Sequence, residues 1–482
     1  MAISAPGVGS GLDVNSIVTQ LVAIEKQPLQ QLQTKASTFQ AQLSLYGKVK
    51  SQTSELGDAA ALLAGASGWN VQKASTSNSA AVGVSVGASA VAAALTVEVQ
   101  QLARAQSTAS SGVAAGMGTG ASGSLNIELG SRNDPVPPVP PTFTGTSNVS
   151  VVVVATDTVA DIATKINAAG AGVTATVLRD GVNERLVIRS SSTGTEAGFR
   201  LVPDAGLSSL NFTNPPDSTD DPDQPPPVFV GQTAQDAEVK INGVDVKSAT
   251  NKMVDAVEGV TLQLSQAMTG PVEITIENDL DAIQKNIQSF VDTYNALNTT
   301  LADATKYDAA AKKGGVLQAD STTVALQKNL RALVGSSSVG ATFSALSPNV
   351  SWLSDAGIER QTDGSLKINS TKLTSAMQDT DNLKKLFTAN NSDPVTNGFG
   401  LKVRDFARGL VAFDGVVTNK STALQGSITR NSKDQDRVND RAARVEVQLR
   451  KQYNTLDAQM AQMNGLSSYV TAQLAQWNKS TG

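Results

Sequence analysis

VEVQLRKQYNTLDAQMAQMNGLSSYVTAQLAQW, running from Val445 to Trp477, is the stretch that decides the fold. Leu449, Leu456, Met463, Val470 and Trp477 recur in it every seven residues, with Val445, Tyr453, Met460 and Leu474 filling the neighbouring rows. Such a repeat is the mark of a coiled-coil-like helix. Traced back to Ile428, the helix would be roughly 75 Å long at about 1.5 Å per residue. A helix cannot bury its stripe on itself, so this one predicts a partner.

The other end of the chain offers one. After Asp13, a residue suited to cap a helix, Ile17, Leu21 and Ile24 share a helical face. Pro28 interrupts or restarts the helix. Leu32, Ala36, Phe39, Leu43 and Tyr46 then alternate at spacings of four and three, and Val49, Leu56 and Leu63 continue at seven until Gly65 and Gly68. The stripe at Leu32–Leu63 is read equally well as intramolecular core or as assembly surface. For Ile17–Ile24 and Leu449–Trp477, at the extreme ends, contact between molecules is the expectation. The terminal segments, about 1–40 and 430–482, are expected to be mobile until assembly orders them.

Between these ends the period changes from helical to two. Val82, Val84 and Val86 alternate, as do Leu95, Val97 and Val99, and both runs predict half-buried strands. Thr158–Ala169 reads as a short helix closed by Gly170. A hairpin follows, VTATVL and RLVIRS about a turn at Asp180-Gly181. A second turn signal, Asn242-Gly243, lies in AEVKINGVDV; strands follow near Thr261–Leu264 and Val272–Ile276. Two Pro-rich stretches, Pro135–Pro141 and Asn214–Pro227, read as exposed loops. Helices return at Asn278, which with Asp281 resembles a capping box. Ile283, Ile287, Phe290, Tyr294, Leu297 and Leu301 make one stripe, and Leu326, Leu330 and Leu333 another, closed by Gly335. After an Asp363-Gly364 hairpin come two further short helices, the second carrying Val403, Phe406, Leu410 and Phe413.

Composition narrows the function. The chain has 482 residues, 40% hydrophobic and 17% charged, enough for folded domains, about two to four of them. It contains no His and no Cys. That removes imidazole bases, thiol nucleophiles, disulfides and the usual zinc ligand sets. No catalytic, cofactor-binding or metal site is nominated, and no enzyme activity is expected. The net charge of −5, without a basic stripe, argues against a nucleic-acid partner or an anionic membrane surface. Gly7, Gly9 and Gly11 follow no strand and make a leader rather than a phosphate cradle. Asp217, Asp220, Asp221 and Asp223 depart from the calcium-loop pattern at Pro222 and Val228. The first residues lack a Sec-type signal pattern, no apolar run is long enough to span a membrane, and export without a cleaved signal is the expectation.

Several segments are recognisable together. MAISAPGVGSGLDVNSIVTQLVAIEKQPLQQLQ (1–33) strongly resembles the start of the bacterial flagellar filament cap family, also called flagellar hook-associated protein 2. TVEVQQLARAQ (96–106), VKINGVDV (239–246), IQSFVDTYNALNTTL (287–301), GVLQADSTTVALQKNLRALV (315–334) and LSDAGIERQTDGSLKIN (353–369) continue the likeness in order, and YNTLDAQMAQMNGLSSYVTAQLAQW (453–477) matches the closing helix. Residues 108–233 match less well, although DIATKINAAGAGVTATVL and RLVIRSSSTG resemble an internal repeat of flagellins and cap proteins.

The resemblance implies an α+β multidomain chain: a helical, coiled-coil-like stem from both chain ends, with two inserted β-rich domains. Terminal leg helices would occupy 1–40 and 430–482, and a mainly helical stem 41–69 and 278–429. By analogy with the family, a discontinuous β-rich head domain would occupy 70–107 and 234–277, with an outer β-rich domain inserted at 108–233. It further implies export through the flagellar type III apparatus and a homo-oligomeric ring, usually a pentamer, at the distal tip of the filament. The partners implied are flagellin, the hook–filament junction proteins and a cytoplasmic export chaperone at the C-terminal region. The residues expected to carry assembly contacts are Ile17, Leu21, Ile24, Leu32, Phe39, Tyr46, Leu449, Leu456, Met463, Val470 and Trp477. The alternatives are an adhesin displayed at the tip through 108–233, or a hook–filament junction protein.

Overall fold

The computed structural model describes residues 13–133, 142–215, 231–268, 270–310, 312–343 and 350–480. The glycine leader, the Pro135–Pro141 run and the acidic loop at Asp217–Asp223 lie outside the described residues. Contacts divide the chain into two units: everything up to Trp69 with everything from Asp281 onward, and Asn70–Leu280 between them.

The first unit opens with α1 (Val14–Glu25) and α2 (Gln27–Ala64). The Asp13 carboxylate accepts the Ser16 N–H at 3.0 Å and so caps α1. Lys26 alone separates the helices, and Pro28 sits in the first turn of α2, where its missing N–H costs nothing.

The second unit holds two cores. Its inner part contains β1 (Gln72–Thr76), β2 (Val82–Val86) and β3 (Ala93–Gln101). The chain then leaves for β4 (Ser107–Ala109), β5 (Val113–Ala114), β6 (Gly123–Asn133), β7 (Thr142–Val153), α3 (Val159–Ala168), β8 (Val173–Asp180), β9 (Asn183–Ser190), β10 (Gly198–Pro203) and β11 (Gly231–Gln232). It returns for β12 (Ala237–Ile241), β13 (Val244–Ser248), β14 (Lys252–Val257), β15 (Val260–Leu264) and β16 (Val272–Asn278). The inner sheets run β1-β16-β3-β12-β13 and β14-β15-β2, all pairs antiparallel. Alternate residues Val97, Val99, Ile274, Ile276, Val239, Leu262 and Leu264 enter one core shared by both sheets. At the β12–β13 turn Asn242 and Gly243 both have positive φ, as a two-residue hairpin of this hand requires.

The outer core is separate. Leu125, Ile127, Leu186, Ile188, Phe199 and Leu201 from its sheets meet Val159, Ile162 and Ile166 of α3. Thr158 and Asp161 cap α3 reciprocally, each side chain accepting the other's N–H. The outgoing and returning chains pass side by side: Arg104 bridges Gln235, and Ser107 pairs with Gln232. Paired strand residues lie about 5 Å apart, so a two-residue Asn-Gly turn joining Ser107 to Gln232 should replace the whole insert. The shortened protein should keep a cooperative thermal transition for the inner sheets, followed by far-UV circular dichroism. Loss of that transition would show that the inner core depends on the outer one.

Two sequence expectations need correction. Asn278 does not cap a helix: it is the last residue of β16, pairs with Gln72 and accepts the Gln72 Nε2 donor at 2.9 Å. Helix α4 (Leu280–Thr305) starts only after that ladder ends. Between the Ile358–Arg360/Leu366–Ile368 hairpin, which follows α5 (Ser321–Val334), and the long C-terminal helix there are three short helices, not two: α6 (Ser370–Met377), α7 (Thr380–Thr388) and α8 (Phe399–Val411). Phe413 falls after α8 and is almost fully exposed.

These elements and α9 (Val416–Ser480) share the first unit's core. Every apolar position read from the α4 stripe is buried there. Trp69, Phe290 and Phe387 form an aromatic centre, with Phe387 at 5.5 Å from the Trp69 ring and edge-on to Phe290 at 6.0 Å. Helices α2 and α8 approach through small residues: a Cβ on Gly57 would lie 3.1 Å from the Ala407 methyl.

Candidate assembly surface

Helix α9 has 65 residues, roughly 100 Å at about 1.5 Å per residue. Its early turns bury Val417 and Leu424 in the stem. Farther along, α1 lies on it, with Val14, Val18 and Val22 closing over Ala442, Leu449 and Tyr453. Arg450 donates to the Asn15 amide oxygen at 3.0 Å, and Arg441 pairs with Glu25 at 3.0 Å. Asn15 and Glu25 flank the valine row, so polar contacts and packing select the same face.

The residues expected to make contacts between molecules lie outside that row: Leu21 and Ile24 are exposed and Ile17 is half-buried. Val14, Val18 and Val22 repeat every four residues and were equally available as a signal. Leu449 also points inward, toward α1.

Helix α1 is too short to cover the rest. From Ala461 to Asn478 every described side chain of α9 is exposed. Met463, Leu466, Val470, Leu474 and Trp477 follow one another at spacings of three and four, and 47–70% of each is exposed. Leu456 begins the row at 41% and Tyr469 widens it. Isolated exposed apolar residues are ordinary, whereas a continuous row marks a contact surface.

The α2 residues divide. Leu32 and Phe39 are half-buried, Phe39 packing against the stem core. Tyr46 corrects its expectation as an assembly contact, since it is only 2% exposed and belongs to the interior. Its hydroxyl donates to the Asp320 carboxylate at 2.8 Å and lies 2.9 Å from the Thr323 hydroxyl, and burial pushes its pKa up. Asp320 also caps α5 by accepting the Thr323 N–H at 2.9 Å, and pairs with Lys420 of α9 at 2.5 Å. One carboxylate thereby ties α2, α5 and α9 together.

Burial raises the Asp320 pKa, but the hydrogen bonds from Lys420, Thr323 and Tyr46 outweigh it and hold the group down at about 2. An aspartate depressed in the folded state stabilises above its unfolded pKa of about 4, and that stability is lost as pH falls toward 2. Asp320→Asn keeps a capping side chain but removes the charge. It should cost about 2 kcal/mol at pH 7 and much less near pH 2. Asp320→Ala, losing the cap as well, should cost about 3 kcal/mol. Trp69, Trp352 and Trp477 all lie in this unit, so urea titration by tryptophan fluorescence reads it selectively. An equal cost for Asp320→Asn at pH 7 and pH 2.5 would contradict the assignment.

Among the described residues no cluster of carboxylates is placed to hold a metal ion, and no helix is long and apolar enough to cross a membrane. The arrangement offers a long rod with an uncovered apolar end.

Residues 10–106 match the family described as flagellar hook-associated protein 2 N-terminus, and residues 234–465 its C-terminus, together about two thirds of the chain. Residues 142–192, from β7 through β9, match the flagellin hook IN motif. Flagellar hook-associated protein 2 of Escherichia coli K12 is 27% identical over 98% of both chains. That of Salmonella typhimurium LT2 is 27% identical over 65% of this chain and 66% of its own. The crystal structure of the D1-D2-D3 domains of the E. coli flagellar cap protein FliD shares the fold, with a TM-score of 0.57 at 24% identity, covering 79% of this chain and 99% of that one.

Proposed function

Because the chain belongs to the flagellar hook-associated protein 2 family, we propose that it is the structural cap of the bacterial flagellar filament. It sits at the distal tip, promotes folding and addition of flagellin, and keeps flagellin monomers from being lost. The observation that carries this reading is the uncovered apolar row of α9 from Leu456 to Trp477, at the end of a rod whose other end is anchored in a folded stem. Copies associate into a ring, with five the favoured number. The α9 ends hold the filament while leaving a place that the next flagellin occupies more tightly. Differential binding of that kind moves an assembly forward without any bond being made or broken. Before export, the same row would be exposed in the cytoplasm, and a chaperone at the C-terminal region would cover it.

Removing the gene and restoring it from a plasmid tests the reading. Cells without the protein should shed monomeric flagellin into the medium and carry few filaments, and the plasmid should restore them. Filaments of normal length and number without the protein would refute the cap.

A further inference from the structure

We propose that Met463 is an oxidation site, at which a peroxide converts the thioether to its sulfoxide and switches off the apolar row of α9. The switch rests on the reading of that row as the capping contact; the site itself does not.

The chain has seven methionines and no cysteine. With no thiolate to intercept a peroxide, the thioethers are the sulfur groups it meets. Exposure then ranks them, because the oxidant must reach a sulfur lone pair. Among the described residues the methionines divide sharply. Met253 and Met377 are 4% and 5% exposed, inside the inner-head and stem cores. Met268 is half-buried, and its sulfur accepts the Asn78 side-chain amide at 3.1 Å. Met460 is half-buried on α9. Met117 and Met463 are 61% and 64% exposed. Met117 lies between β5 and β6, away from any row of apolar side chains on α9. Met463 lies within the row itself, three residues before Leu466 and seven before Val470.

The step is a two-electron oxygen transfer. The Met463 sulfur lone pair attacks one oxygen of hydrogen peroxide, the S–O bond forms as the O–O bond breaks, and the other oxygen leaves as water. Sulfur is oxidised and the peroxide is reduced. The product puts a strong dipole where an apolar, adaptable side chain stood. In the free chain that dipole faces water and no packing is lost. In an assembled contact it is buried, and a buried polar group without a partner is costly. From Ala458 to Asn478 α9 has no Lys or Arg to meet it. Assembly in turn covers the sulfur, so the site is open to the oxidant in the free chain and closed in the finished cap.

Treating the full-length protein with hydrogen peroxide tests this, read by peptide mass spectrometry and by co-sedimentation with sheared flagellar filaments. Met463 should gain one oxygen at least about tenfold faster than Met253 or Met377, and the bound fraction should fall about fivefold or more in step with it. Methionine sulfoxide reductases should restore both. Met463→Leu, compared with its own untreated sample, should lose no binding to peroxide, whereas Met117→Leu should lose it as the parent does. Oxidation of Met463 no faster than that of the buried methionines would overturn the site. Oxidation without loss of binding, or an equal loss in Met463→Leu, would overturn the switch and leave the capping reading standing. Failure of the untreated protein to bind filaments would overturn the switch and the capping reading together.

Discussion

Replacing Leu456, Met463 and Val470 by Asp together should leave a folded, soluble protein that no longer caps. In the free chain these side chains are 41%, 64% and 47% exposed, so the substitutions remove little internal packing. On assembly the balance reverses. Each apolar side chain buried is worth about 1.5–3 kcal/mol, and an unpaired buried carboxylate costs more. The combined loss, on the order of 10 kcal/mol, exceeds what a reversible contact with the filament tolerates. Cells making only this variant should secrete flagellin as monomer and grow few or short filaments. A block at export would mimic the defect, so the variant itself must be found in the medium. Asn454→Ala with Ser468→Ala, exposed on the opposite side of α9, should be near neutral. Normal filaments from the triple variant would remove this row from the capping contact.

The second large effect is internal. Phe387 is fully buried between Trp69 and Phe290. Phe387→Ala should destabilise the first unit by about 3–5 kcal/mol, through lost transfer energy and the cavity left behind. That is a large share of the roughly 5–15 kcal/mol typical of a folded domain. Trp69 should report it directly, since its indole N–H is held by the Leu63 carbonyl at 2.7 Å. The fluorescence-detected urea midpoint should fall and the native emission shift to the red. The inner and outer head cores contain no residue of this cluster, so their circular dichroism transition should stay in place. A midpoint within about 0.5 kcal/mol of the parent would contradict the placement of Phe387 at the centre of the core.

The long elements were legible because their period is long enough to read. The α4 stripe from Ile283 to Leu301 covers five turns, and all its members are buried. The Asn242-Gly243 turn works because its chemistry is local: two consecutive residues of positive φ specify the hairpin. Short helices were harder. Helix α7 has nine residues, and Leu383, Leu386 and Phe387 alone do not establish a period. At α1 two apolar faces competed, and the choice was made by Ala442, Arg441 and Arg450, more than 400 residues away. Tyr46 continued a surface-like stripe, yet its hydroxyl finds Asp320 at a separation of 274 residues. Pairings of that kind leave no trace in local spacing. Asn278 failed for the opposite reason: its neighbours looked like a cap, but the β1–β16 ladder already held it.

The position of the protein on the filament tests the cap reading most directly. Antibody raised to the outer head domain and bound to gold should be imaged on intact filaments by electron microscopy. The expected result is label at the free distal end, and nowhere along the shaft or at the hook. Label at the hook–filament junction, or distributed along the filament, would contradict the cap.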